Sequence, residues 1–315
     1  MGTDQRQRVA RWGTATAVLA VIATVTSIAG AAHATASRPA SKIVAVGAEN
    51  EYASVIAQIG GHYVSATAIE SNPNTDPHTF EASPSVAEVI SKARLIVQNG
   101  LGYDDYMTKI ENGSPNRSRK VMVVQSLLGL PKSTPNPHLW YNPTTMPRVA
   151  KAIATDLAAI DPTHASYYHA NLVAFDDSLK PWLRAMANLK AKFPNAPVAT
   201  TEPVADYMIQ AAGLVNKTPF TFQADVMNGV DPSPQGISVE ESLLSKRQVR
   251  VFVYNQQVTD SLTATFLGVA KAHHVPVVGV YETMPTPGFT YQAWMVAEVV
   301  ALYNALKSGK STVKL

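Results

Sequence analysis

The stretch IVAVGAENEYASVIAQIGGHYVSATAI, residues 43–69, decides the fold class. Ile43 to Val46 is a short apolar run that predicts a buried strand. Glu51 to Gly60 follows with a helical pattern and ends at a pair of glycines. Val64 to Ile69 predicts a second strand. A strand, a helix and a strand in succession are typical of a parallel sheet, because parallel neighbours need a long crossover connection.

The same alternation continues along the chain in two series, separated by a long helical pattern. Further strands are predicted at 94–98, 121–124, 198–201, 249–254 and 275–280. We therefore predict an α/β protein of two lobes, each a parallel sheet flanked by helices. The separating pattern runs from Asp161 to about Lys192, and Pro181 would kink or divide that helix. Such sheets bind ligands beyond the carboxyl ends of their strands.

The N-terminus has the features of a targeting segment. Arg6, Arg8 and Arg11 precede an apolar run that ends near Ala32-His33-Ala34, which fits a cleavage site. We predict a signal peptide over 1–34 and a linker over 35–41. The alternative is an uncleaved membrane anchor; in both cases the folded part is exported. The lobes are expected at 42–160 and 194–315, with the connecting helix at 161–193.

Composition narrows the functional classes. The 315 residues carry a net charge of +3, which falls to +1 without the three arginines and one aspartate of the first 34 residues. A nearly neutral protein lacks the basic surface that nucleic acid requires, so no nucleic-acid partner is expected. The chain has no cysteine, which excludes disulfides, thiolate metal sites and a lipid-bearing N-terminal cysteine. Any metal ion must be bound by nitrogen and oxygen atoms.

Two loops with the same local sequence each carry a histidine next to a proline. His78 lies in Asp76-Pro77-His78-Thr79-Phe80, and His138 lies in Asn136-Pro137-His138-Leu139-Trp140. Both loops follow predicted strands of the first lobe. Proline stiffens the backbone, so each imidazole is held in place. A lone loop histidine is more often solvated than metal-bound, but the repeated arrangement favours two ligands at one site.

Two carboxylates hold the equivalent positions in the second lobe. Glu202 follows the strand at 198–201, and Glu282 follows the strand at 275–280. Two imidazoles and two carboxylates suit one divalent ion, Zn²⁺ or Mn²⁺, in the cleft between the lobes. Alternatively, Glu202 is a helix cap before Pro203, and Glu282 is a surface residue. The other histidines are interpreted as turn or surface residues: His62, His164, His169, His273 and His274.

An ordered set of motifs resembles the zinc/manganese ABC-transporter substrate-binding proteins, a family of metal-binding lipoproteins and adhesin-like solute-binding proteins. The motifs are Asp76–Ser85, Leu95–Gly102, Asn136–Trp140, Thr200–Met208, Tyr254–Val258 and Val280–Pro285. The resemblance implies two lobes joined by one long rigid helix, with one metal ion between them. By motif position it implies His78, His138, Glu202 and Glu282 as the metal ligands.

The chain departs from that family pattern at several positions. Asn136 and Asn142 stand where many members have aspartate, which predicts a missing outer carboxylate and weaker binding. Val86 replaces another frequent carboxylate, and 111–135 has no histidine-rich loop. Zinc and manganese both stay open as the bound ion.

The resemblance implies a monomeric extracytoplasmic protein that captures the ion and hands it to an ABC permease in the cytoplasmic membrane. One alternative is an exported metal-dependent hydrolase, although the sequence has no His-Glu-x-x-His helix and no nucleophile elbow. Another alternative is a surface adhesin on the same fold, because fold does not fix function. We expect a binding protein and not an enzyme.

Overall fold

A computed structural model describes residues 41–74, 76–285 and 287–315. The predicted signal peptide and all but the last residue of the predicted linker fall outside these ranges. The strands are β1 Ile43–Glu49, β2 Val64–Glu70, β3 Leu95–Gln98, β4 Lys120–Val123, β5 Pro197–Thr200, β6 Val215–Asn216, β7 Val251–Asn255 and β8 Val277–Val280.

The α-helices are distributed between the strands and after them. They are α1 Asn50–Gly60, α2 Pro84–Lys92, α3 Asp105–Gly113, α4 Val124–Leu128, α5 Thr145–Ile160, α6 Ala165–Ser178, α7 Lys180–Lys192, α8 Asp206–Ala211, α9 Phe220–Met227, α10 Pro234–Ser245, α11 Ser261–Ala272 and α12 Tyr291–Ser308. Within the ranges given above, none of these helices has the length and apolarity to cross a bilayer.

Two parallel four-stranded sheets confirm the predicted fold class. The first sheet has the strand order β2-β1-β3-β4, and the second has the order β6-β5-β7-β8. Every described pair of neighbouring strands is parallel. The carboxyl ends of all strands in a sheet therefore meet at one edge, and the loops that leave that edge deliver side chains to a common place.

Apolar side chains from both sheets pack into one continuous core. This cluster contains Ala45 and Leu95 of the first sheet, Val198 and Val251 of the second, and several large aromatic residues. Trp140, Trp182 and Trp294 are fully buried within it. Because the two lobes share this core, the edges from which their loops leave are held close to each other.

The connecting segment is two consecutive helices, α6 and α7, that meet at Leu179. Pro181 has no N–H, so the helical hydrogen bond to the carbonyl of Asp177 is missing there. The turn tightens at this point, where the N–H of Leu179 reaches the carbonyl of Asp176 at 3.3 Å. Leu179 keeps right-handed helical angles, φ −79° and ψ −17°. The predicted helix is therefore divided into α6 and α7 near Pro181 and is not simply kinked there.

The sequence reasoning missed some short elements of the second lobe. In the structure, strand β6 and helices α8, α9 and α10 lie between the predicted strands at 198–201 and 249–254, and β6 was not predicted. Strand β6 has two residues, which is too short for a period to be recognised. The start of α10 did carry a signal: the hydroxyl of Ser233 accepts the N–H of Gly236 at 3.1 Å, and Pro234 takes the first helical position.

Candidate metal centre

The structure places all four predicted ligands beyond the carboxyl ends of strands. His78 lies after β2, and His138 lies in the loop after β4 and α4. Glu202 follows β5, and Glu282 follows β8. His138, Glu202 and Glu282 are buried, with exposed fractions of 0%, 3% and 0%. The imidazole of His78 is 23% exposed, so it is the ligand that faces solvent.

Three of the four side chains meet at one oxygen atom. Glu282 Oε2 lies 3.2 Å from Nε2 of His78 and 3.2 Å from Nε2 of His138. The three residues form a group of potential ligand atoms that all lie within 4.8 Å of one another. His78 and His138 come from the first lobe and Glu282 from the second, so the group bridges the two lobes.

The distances in this group match those between ligands of a single ion. Zinc–ligand bonds of about 2.0 Å in a tetrahedron put neighbouring ligand atoms about 3.3 Å apart. Octahedral bonds of about 2.1–2.2 Å, which suit harder ions, give about 3.0–3.1 Å. The two nitrogen–oxygen distances of 3.2 Å fall between these values. Both nitrogen–oxygen distances are therefore compatible with two ligands of one ion in either geometry.

Glu202 lies next to this group but is not part of it. Its Oε1 accepts a hydrogen bond from Nδ2 of Asn255 at 3.2 Å, and the same Nδ2 donates to Oε1 of Glu282 at 2.6 Å. The amide of Asn255 thus connects the two carboxylates. Among the described residues, Glu202 Oε2 has no hydrogen-bond partner although it is buried. An unpaired buried carboxylate oxygen is costly unless it binds a proton or a cation.

Burial and the neighbouring charges set the protonation of the site. Burial favours the neutral form of Glu282, but hydrogen bonds from His138 and His78 outweigh it and lower the pKa of Glu282. Burial lowers the pKa of His138 more than Glu282 raises it. Burial also acts against a charged His78, yet the bond and charge of Glu282 raise the pKa of His78. Burial, followed by the charge of Glu282, raises the pKa of Glu202.

Asn136 orients the imidazole of His138 with an amide oxygen, in the place where many family members have a carboxylate. Asn136 Oδ1 lies 2.8 Å from Nδ1 of His138 and accepts the backbone N–H of His138 at 3.0 Å. When an ion replaces the Nε2 proton, a proton on Nδ1 leaves the lone pair of Nε2 directed at that ion. Asn136 Nδ2 also donates to the carbonyl of Pro203 at 2.8 Å, a bond that an ionised aspartate has no hydrogen to make.

Asn142, the second departure from the family pattern, acts elsewhere. Its Oδ1 accepts the backbone N–H of Thr144 at 3.0 Å and the hydroxyl of Thr144 at 2.8 Å. These bonds stabilise the turn before α5 and involve none of the four candidate ligands. Many family members have aspartate at this position, but the side chain of Asn142 orients neither His78 nor His138.

Three further residues complete the surroundings of Glu282. The hydroxyl of Tyr103 donates to Glu282 Oε2 at 2.9 Å. Oε1 of Gln257 accepts the backbone N–H of Glu282 at 2.6 Å, and Asn255 binds the other carboxylate oxygen. Sequence reasoning did not select these residues. Asn255 ends strand β7, and Tyr103 and Gln257 follow strands β3 and β7, so the strand-end rule that found the ligands also points to these segments.

The remaining histidines lie away from this group. His62 and His164 pack against Tyr63, with ring centroids 3.9 Å and 3.6 Å from its ring. His169, His273 and His274 are exposed. Within the described part of the chain, the three-residue group around Glu282 is the one set of His, Asp or Glu side chains with metal-binding spacing.

Comparison with known proteins gives a family match over most of the chain. The profile of the family described as ZnuA, zinc-uptake complex component A periplasmic, matches residues 46–305. The manganese ABC transporter substrate-binding lipoprotein PsaA of Streptococcus anginosus is 25% identical over 276 residues, which cover 82% of this chain and 85% of that protein. The manganese-binding lipoprotein MntA of Halalkalibacterium halodurans is 28% identical over 165 residues, covering 52% and 55%.

Solved structures show the same fold. A Mn-bound periplasmic metal binding protein from candidatus Liberibacter asiaticus superimposes with a TM-score of 0.68 at 18% identity, covering 84% of this chain and 100% of that chain. A crystal structure of ZnuA gives a TM-score of 0.67 at 21% identity, covering 85% and 98%. At these identities the likeness concerns the fold of the two lobes.

The two asparagines are expected to respond differently to substitution. Asn136→Ala should weaken the affinity for a divalent ion about 10- to 100-fold, because His138 loses the group that orients it. Asn142→Ala should leave the affinity unchanged and lower the stability by about 1 kcal/mol, the usual net contribution of a hydrogen bond. Titration calorimetry and thermal unfolding of both variants would test this. Equal losses of affinity would contradict the role of Asn136.

Proposed function

This chain belongs to the ZnuA family, zinc-uptake complex component A periplasmic, and on that premise we propose its function and its ligands. It captures one divalent transition metal ion, Zn²⁺ or Mn²⁺, outside the cytoplasm and delivers it to an ABC-type permease in the cytoplasmic membrane. The observation that carries the proposal is the convergence of His78, His138 and Glu282 on one point between the lobes. Nitrogen and carboxylate oxygen atoms suit both ions.

Each proposed ligand has a defined atom to offer. His78 and His138 bind through Nε2, and Glu282 binds through Oε2, the atom both imidazoles already contact. Glu202 supplies the fourth ligand through Oε2, which has no hydrogen-bond partner among the described residues. Two neutral imidazoles and two carboxylates then neutralise a divalent ion, so that its burial leaves no net charge.

The division of the ligands between lobes explains capture and release. Two ligands belong to the first lobe and two to the second, so an ion holds the lobes together when it binds. Separation of the lobes at the permease removes half of the ligands at once and weakens the site strongly. The ion binds more tightly when the lobes are close together than when they are separated, and this difference couples metal binding to the position of the lobes.

We propose binding and not catalysis for this ion. Hydrolysis by a metal ion needs an open position for water and a general base nearby. Glu202 Oε2 would fill the fourth position of a tetrahedral site, which leaves no position for a reactive water. We further propose that residues 1–34 direct export, either cleaved or kept as a tether, that the protein acts as a monomer and that it does not bind nucleic acid.

Metal binding should raise the thermal stability of the stripped protein. An ion that binds only the folded state adds about 2.7 kcal/mol at a free concentration of 100 Kd. Zn²⁺ and Mn²⁺ titrated separately should raise the unfolding midpoint with one-to-one stoichiometry, and the larger rise at equal free concentration identifies the preferred ion.

The variant His78→Ala should lose this rise. The exposed His169 provides the matched control, and His169→Ala should keep the full rise. A rise that survives in His78→Ala would place the bound ion elsewhere and contradict the proposed ligands.

Binding should release protons, because two proposed ligands hold one before the ion arrives. Glu282 raises the pKa of His78, so His78 stays protonated to a higher pH than free imidazole. Burial, followed by the charge of Glu282, raises the pKa of Glu202 and favours its neutral form, whereas the lowered pKa of His138 favours its neutral imidazole. The ion displaces protons from His78 and Glu202, so binding should release protons, up to about two per ion, and affinity should weaken as pH falls.

Calorimetry in buffers of different ionisation enthalpy measures the number of released protons. Glu202→Gln, which has no proton to lose, should reduce it by about one. Unchanged affinity at pH 5, or the same proton release in Glu202→Gln, would contradict the assignment.

A further inference from the structure

The side-chain amide of Asn255 lies between the two glutamates proposed as metal ligands. Asn255 is the last residue of β7, and its exposed fraction is 1%. Its Nδ2 donates to Oε1 of Glu282 at 2.6 Å and to Oε1 of Glu202 at 3.2 Å. An amide nitrogen carries two hydrogens, so it can donate to both oxygens at once. One buried side chain therefore holds one oxygen of each glutamate.

The orientation of this amide is fixed by the other groups that Asn255 contacts. Its Oδ1 accepts the backbone N–H of Gln257 at 3.0 Å, and its own backbone N–H donates to the hydroxyl of Thr201 at 3.0 Å. Rotation of the amide by half a turn would place the Nδ2 hydrogens against the N–H of Gln257, where nothing accepts them. The Nδ2 group of Asn255 is therefore directed at the two carboxylates.

The second oxygen of each glutamate is left for the ion. Oε2 of Glu282 is the atom that both imidazoles approach at 3.2 Å. Oε2 of Glu202 is buried and has no hydrogen-bond partner in the described part of the chain. An ion that used both oxygens of either glutamate would displace a hydrogen bond of Asn255. That displacement leaves a buried N–H without a partner, which is costly.

The number of oxygens that the glutamates offer affects Zn²⁺ and Mn²⁺ differently. One oxygen from each glutamate and one nitrogen from each imidazole make four ligand atoms, the number that Zn²⁺ takes in a tetrahedral site. Mn²⁺ is a harder ion and prefers octahedral surroundings that are rich in oxygen. A carboxylate that binds through both oxygens raises the coordination number. Limiting each glutamate to one oxygen therefore disfavours Mn²⁺ more than Zn²⁺.

We propose that Asn255 shifts the preference of the metal centre toward Zn²⁺ over Mn²⁺ by restricting both glutamates to coordination through one oxygen. It acts through Glu202 and Glu282, so it is a positioning residue and not a ligand. Nitrogen and oxygen ligands bind Zn²⁺ more tightly than Mn²⁺ in general, and Asn255 enlarges this difference. The inference rests on the proposed function, because it concerns the same ion and ligands, and it adds the ion preference that the ligand set alone leaves open.

The ratio of the two dissociation constants tests the proposal. Competition with a metal-sensitive dye gives the Kd of each variant for Zn²⁺ and for Mn²⁺. Asn255→Ala should lower the Kd for Mn²⁺ relative to the Kd for Zn²⁺ about tenfold, because a hydrogen bond to a carboxylate no longer competes with the ion. Asn255→Leu fills the space without donating and should have the same effect, which covers the case that Asn255→Ala does not fold. An unchanged or increased ratio would overturn the proposal.

Gln257→Ala is the matched control, because it also disturbs the surroundings of Glu282. Oε1 of Gln257 accepts the backbone N–H groups of Glu282 at 2.6 Å and of Thr283 at 2.8 Å. Its removal should weaken the binding of both ions to a similar degree and keep their ratio, since the backbone N–H that orients Asn255 remains. An equal change of the ratio in Gln257→Ala would mean that any loosening of Glu282 alters the preference, and the role of Asn255 would be wrong.

Infrared difference spectra of the carboxylate groups provide a second measurement. The antisymmetric and symmetric stretching bands of a carboxylate lie further apart when it binds a metal ion through one oxygen than through two. With Mn²⁺ bound, Asn255→Ala should show the narrower separation, whereas the wild-type protein should show the wider one. The same separation in both proteins would contradict the proposal.

Failure of this inference is distinguishable from failure of the proposed function. If the wild-type protein binds neither Zn²⁺ nor Mn²⁺, the proposed function is wrong. If it binds an ion that His78→Ala no longer binds, and the Asn255 variants keep the wild-type ratio, only the role of Asn255 is wrong.

Discussion

The buried carboxylate of Glu282 is the constraint on which the rest of the site depends. A charge with no exposure to solvent must be compensated by partners inside the protein. His78, His138 and Tyr103 approach one oxygen, and Asn255 binds the other. Because these partners come from both lobes, the lobes must keep a fixed relation for the carboxylate to stay satisfied. A divalent ion between these side chains would compensate the buried charge of Glu282 more strongly than the hydrogen bonds do.

Hydrogen bonds on either side of Glu282 tie its loop to the first lobe. The amide of Asn50 pairs with both backbone groups of Met284, each at 2.8 Å. The hydroxyl of Tyr141 donates to the carbonyl of Tyr281 at 2.7 Å. The ligand is thus held between two contacts that cross from one lobe to the other. Opening of the lobes would break the hydrogen bonds of Asn50 and Tyr141 and would also separate the proposed metal ligands. Metal binding and the position of the lobes therefore depend on the same region of contact.

The sequence carried enough information for the fold class and for most of the candidate ligands. Alternation of apolar runs and helical patterns predicted both sheets, and the strand-end rule selected His78, His138 and Glu282 before any distance was known. The sequence alone could not reveal that the amide of Asn136 orients His138, because this depends on the direction in which the Asn136 side chain points. The strand-end rule points to the segments that hold Tyr103 and Asn255, but it does not specify which side chains of those segments turn toward Glu282.

We expect His78, His138 and Glu282 to bind one ion together. X-ray absorption at the metal edge of protein loaded with one equivalent of Zn²⁺ should then show nitrogen and oxygen atoms at about 2.0–2.2 Å, with the scattering pattern of two imidazoles. The variant His138→Ala should show one imidazole fewer. A spectrum without imidazole scattering, or one that His138→Ala leaves unchanged, would contradict the claim.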